Sequence, residues 1–159
     1  MNKYWIKKQN NLFVTDAAWY DKKDSKKVRM LADVAEKVLP AIREFLNLKE
    51  EDAYVVVGAI KAKRTNGYWM ASVKEARVDF RATSVSAFVE TLAHELVHAQ
   101  QYAQGRLKQK LGVYSWNDKV MGKQPTSHAK YLALPWEVEA RTQATAIVKM
   151  LTEKGLISG

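Results

Sequence analysis

The chain has no cysteine. Disulfides and thiolate metal sites are therefore excluded, and any metal must be held by His, Asp or Glu. It also has no apolar run approaching the roughly 20 residues of a membrane span. The start, Met1-Asn2-Lys3-Tyr4-Trp5-Ile6-Lys7-Lys8, lacks the apolar core of a secretory signal. Neither a membrane span nor signal-directed secretion is expected, and the cytoplasm is the expected location. There is no internal repeat, low-complexity tract or linker. The 159 residues are read as a single domain, long enough to bury about two-thirds of its unfolded surface.

Acidic residues are few beside basic ones, 17 against 26, for a net charge of +9. The basic residues noted are Lys22, Lys23, Lys26, Lys27 and Arg29, then Lys61, Lys63 and Arg64. Such a balance attracts nucleic acid, anionic surfaces or acidic proteins. No nucleic-acid motif accompanies it, and a solvated, solubilising face is the plainer reading.

Of only three histidines, two stand in Thr91-Leu92-Ala93-His94-Glu95-Leu96-Val97-His98-Ala99-Gln100. On an α-helix, residues four apart lie one turn apart and about 40° around the axis. Two imidazoles so placed can bind one Zn²⁺, and Glu95 between them can reach a metal-bound water. Val85, Phe88, Val89, Leu92, Leu96 and Ala99 form an apolar stripe nearly opposite the histidines. Thr83, Ser84 and Ser86 are the N-cap candidates.

Elsewhere the pattern is α+β, a small antiparallel sheet packed on helices. Val28, Leu31, Val34, Val38, Ile42 and Phe45 predict a helix over residues 25–48, which Pro40 should kink or divide. Tyr54-Val55-Val56-Val57 predicts a buried strand continuing through a bulge at Gly58. Thr65-Asn66-Gly67-Tyr68 reads as a hairpin turn with Trp69–Val73 returning. Residues 76–81 alternate like a half-exposed strand. From Gln104 to Ala133 the periodicity fades, which predicts a long packed loop rich in aromatics. Pro135 opens a last helix with Ala140, Ala144, Ile147, Val148 and Leu151 on one face, and Gly155 caps it.

His94-Glu95-Leu96-Val97-His98, followed by Leu134-Pro135-Trp136-Glu137-Val138-Glu139-Ala140-Arg141, resembles the zincin metallopeptidases. More narrowly, it resembles small single-domain zincin-like proteins often encoded by bacteriophages. Trp116-Asn117-Asp118-Lys119 and Tyr131-Leu132-Ala133-Leu134 agree with that likeness, which covers roughly residues 76 to 151. For a phage-encoded chain the expected location is the host cytoplasm. The resemblance implies a zincin-like fold and zinc-dependent cleavage of a protein or peptide. It makes His94, His98 and Glu137 the ligands, as in zincins of the glutamate-ligand type, with Glu95 as general base. Three such ligands leave the fourth position for a water whose pKa falls towards about 7. Tyr131 and His128 are candidate donors to the developing oxyanion. Arg141 stands where many relatives carry an aspartate that orients a histidine, so that partner is unassigned. The alternative is a catalytically retired zincin scaffold serving as a basic binding module for nucleic acid or an acidic protein.

Helical geometry bears on the third ligand. With the last helix facing the core through Ala133, Ala140, Ala144, Ile147 and Leu151, Glu137 lies about 50° from the face centre and Glu139 about 110°. An inward carboxylate needs a positive partner, so Glu137 is preferred. Glu139 is expected to face solvent, and His128 is a distant rival.

Overall fold

A computed structural model describes residues 5–15, 22–60 and 65–158. The order is β1 (Trp5–Lys8), β2 (Leu12–Thr15), α1 (Lys22–Leu46), β3 (Tyr54–Gly58), β4 (Gly67–Met70), β5 (Glu75–Asp79), α2 (Val85–Ala103), β6 (Leu107–Lys110), β7 (Val113–Trp116), β8 (Lys119–Lys123), α3 (His128–Leu132) and α4 (Pro135–Glu153). The class is α+β, as expected. Five strands form one sheet in the order β1-β2-β3-β5-β4, and β6-β7-β8 form a second. No helix among the described residues is long and apolar enough to cross a membrane.

The larger sheet is mixed, not antiparallel, since β3 runs parallel to both β2 and β5. The expected hairpin at residues 65–68 does not form: β4 pairs antiparallel with β5, which separates it from β3. Burial explains this order. Far from being half-exposed, β5 buries Ala76 and Val78 in the main core and Glu75 and Asp79 on its other face. Asp79 accepts from the Ile60 amide at 2.8 Å, and Glu75 accepts from the hydroxyls of Tyr54 and Tyr68. A strand buried on both faces belongs inside a sheet, leaving the half-exposed β4 for the edge. Gly58 closes β3 in register with Asp79, without the expected bulge.

Pro40 does not divide α1, which runs unbroken from Lys22 to Leu46. Proline cannot donate to the Glu36 carbonyl one turn back; the Asn10 side-chain amide donates to it instead, at 2.9 Å. Phe45 departs from the expected stripe, being 43% exposed, and Leu46 is buried beside Ile42 in its stead.

Residues 104–133 are not an irregular loop. They form β6–β8 and α3, with the two-residue turns Leu111-Gly112 and Asn117-Asp118 at positive φ throughout. Such turns suit tight hairpins. The strands escape a periodicity search because they are short and exposed, with Lys108, Gln109 and Lys110 all on the surface. In α4, Pro135 takes the first-turn position and Gly155 follows the helix at φ 71. Ala140, Ala144, Ile147 and Leu151 are buried, and α4 makes its most extensive packing against α2.

Candidate metal centre

Two helices build the centre. Of the three capping candidates, Ser84 caps α2, its side chain accepting from the Ala87 amide at 3.0 Å. Gln100 pins the far end, donating to the Leu46 carbonyl at 2.9 Å. Between these anchors α2 presents His94, Glu95 and His98 to the first turn of α4, which carries Glu137. There the helix N-terminus favours a carboxylate. Glu137 Oε1 lies 3.1 Å from His94 Nε2, and Oε2 lies 2.9 Å from His98 Nε2. Ligand atoms from the three residues all fall within 4.8 Å of one another. Ligands about 2.0–2.2 Å from a tetrahedral zinc stand roughly 3.3–3.6 Å apart, so small adjustments bring this trio onto one ion. Two imidazoles and a carboxylate suit a divalent metal of borderline hardness. His94, His98 and Glu137 can therefore bind a metal.

The charges are arranged for a cation. Burial alone would raise the Glu137 pKa, but the imidazole hydrogen bonds outweigh it and hold the carboxyl at about 2. Burial lowers His98, yet its contacts with Glu137 and Glu95 leave it above the ordinary histidine value. Glu95 is raised, because burial outweighs the two histidines beside it. A raised carboxylate is poised to exchange protons.

No family model, curated protein or solved structure matches the chain. What this centre does must follow from its own geometry.

Tyr131 lines the cleft beside Glu137; burial, first, and that carboxylate raise its pKa. His128 opens α3, exposed, and is not among the residues that converge on the metal position. Arg141 hydrogen-bonds neither histidine and donates instead to the Leu132 carbonyl at 2.6 Å. Glu139 does not simply face solvent, as expected, because Arg106 binds it at 2.8 Å and Gln101 at 3.2 Å. Arg106 leaves the end of α2 at a place no helical wheel projects, which is why periodicity misses the pair. Periodicity also misses Gln101, although it follows His98 by three residues and its Oε1 lies 2.8 Å from His98 Nδ1; the i, i+3 spacing is the available signal. Of the basic residues noted in the sequence, Lys22, Lys23, Lys26 and Arg29 are exposed on α1. Lys27 donates to the Ala82 carbonyl, while Lys61, Lys63 and Arg64 lie outside the described residues.

The cleft runs over the centre in two cavities of about 320 and 530 Å³, which share Thr65, Gly67, Glu95, Tyr131 and Glu137. Its wall on one side is aromatic. Tyr114 stacks on Trp136 at 5.3 Å and Trp116 leans on the same ring at 6.0 Å. These contacts fix the start of α4 and hence Glu137. The opposite wall is the β4 edge. Gly67 is needed there for closeness, not for a turn: a Cβ would stand 2.6 Å from Thr91 Cγ2 and 3.3 Å from Glu95 Cγ. Gly67→Ala is expected to cost about 1–3 kcal/mol through overpacking. Urea unfolding measures this, and an unchanged midpoint would mean that β4 shifts freely against α2.

Proposed function

We propose that the chain is a zinc-dependent peptidase of the zincin type. One observation carries the reading: a His94–His98–Glu137 trio, half-buried at His94 and buried at the other two, with buried Glu95 beside it, at the floor of a cleft walled by a sheet edge. His94, His98 and Glu137 would hold the zinc. When bound, zinc supplies Lewis acidity, acidifying a water and polarising the scissile carbonyl. Glu95 accepts a proton from the attacking water and passes it to the leaving amine. Tyr131 faces the same space and can donate to the oxyanion. An extended peptide can pair with the outer edge of β4 by strand addition, which brings its backbone past Glu95. The same two-histidine, one-carboxylate donor set also serves iron oxygenases, but those have no use for a proton acceptor held where Glu95 is.

Purified protein is expected to contain about one equivalent of zinc and to cleave denatured protein or a peptide library. A chelator should abolish cleavage and zinc should restore it. Iron in place of zinc would overturn the reading. Zinc without hydrolysis of any member of the library would point to the retired scaffold.

A further inference from the structure

Behind the metal trio lies a second row of polar side chains that the chemistry above does not use, Gln101 buried and Glu139 and Arg106 half-buried. Gln101 is fully buried on α2. Its Oε1 lies 2.8 Å from His98 Nδ1, and its Nε2 lies 3.1 Å from the Trp136 carbonyl and 3.2 Å from Glu139 Oε1. Arg106 closes the row, donating through Nη2 to Glu139 Oε1 at 2.8 Å and through Nη1 to Oε2 at 2.9 Å.

We infer that Gln101 is the positioning residue that fixes the His98 ring, and that Glu139 and Arg106 in turn fix Gln101. The inference rests on the metal reading above. An amide can turn either end towards a histidine, so its orientation must come from its other partners. Here those partners are a carbonyl and a carboxylate, and both only accept. The NH₂ end of Gln101 must face them, which leaves its oxygen for His98. An oxygen at that place requires a proton on His98 Nδ1, so the lone pair of the neutral ring stands on Nε2, the atom nearest Glu137. A glutamine does this without adding negative charge to a pocket that already holds Glu95 and Glu137. The row also joins the two ligand-bearing helices: Gln101 belongs to α2, Trp136 and Glu139 to α4.

The test uses zinc and the full chain. Gln101→Leu keeps the bulk and removes the acceptor. It should lower zinc affinity about 10–100-fold, the usual effect of removing such a partner, read by competition with a chromophoric chelator. The slowly exchanging Nδ1–H proton signal of His98 in the zinc-loaded protein should disappear. Gln101→Glu alone sets two carboxylates against each other and should also weaken binding. The double variant Gln101→Glu, Glu139→Gln restores a donor facing an acceptor and should recover affinity to within a few-fold. Wild-type zinc affinity and an unchanged His98 signal in Gln101→Leu would overturn the inference. So would a double variant that binds no better than Gln101→Glu; that comparison also decides the matter if Gln101→Leu does not fold. Zinc binding by the wild type with either of these outcomes removes Gln101's role alone, whereas a wild type that takes up no zinc removes the metal reading and this inference with it.

Discussion

Glu137→Ala is expected to weaken zinc binding by more than about 100-fold, beyond the loss from removing an outer partner. Three arguments set the size. The residue supplies the only carboxylate of the trio, so its loss leaves two neutral ligands and no charge to match the dication. Each of its oxygens sits against one imidazole, and alanine leaves a gap between the ligand-bearing helices. It also stands in the first turn of α4, where the helix dipole helps hold the negative charge. Glu139→Ala should have an intermediate effect, because Glu139 is hydrogen-bonded to Gln101 and is not one of the trio. Chelator competition on both variants gives the ranking. A larger loss in Glu139→Ala than in Glu137→Ala would show that the ligand is misassigned.

Glu95→Gln is expected to leave zinc in place and lower turnover by about 10²–10⁴-fold, the usual contribution of a positioned proton acceptor. Glutamine fills the same volume in a site with little spare room, since Glu95 is buried and Gly67 lies against its stem. It leaves His94, His98 and Glu137 untouched, so metal binding has no reason to collapse. Steady-state cleavage together with metal content separates the outcomes. Turnover within a few-fold of wild type would sink the proton-transfer role. Loss of zinc together with turnover would make Glu95 part of the binding set.

The helices were legible because their information is local. A residue's direction on a helix follows from its number, at about 100° per step. That was enough to pair His94 with His98, to set Leu92 and Leu96 opposite them, and to turn Glu137 inward ahead of Glu139. It did not show that Glu139 would be held between Gln101 and Arg106. Nor could it show that α4 would lie across α2 and bring Glu137 to His94, 43 positions earlier in the chain, which only packing decides.

Strands carry less of this information. Alternation says which way a side chain points, not which strand lies alongside. The Asn66-Gly67 pair looked like a hairpin turn, but its glycine serves the close approach to Thr91 and Glu95. The run from Ala76 to Phe80 looked half-exposed, because a sequence does not reveal that Glu75 and Asp79 will find partners in the interior. By itself, then, the sequence determined the absence of thiolate chemistry, the helix that carries two histidines and a glutamate, and the inward face of the last helix, all through composition and short-range geometry. Tertiary structure alone decided the mixed strand order, the edge beside Glu95, the small sheet that buttresses Trp136, and the polar row behind His98. These depend on contacts between distant segments, whose closeness is set by how the whole core packs.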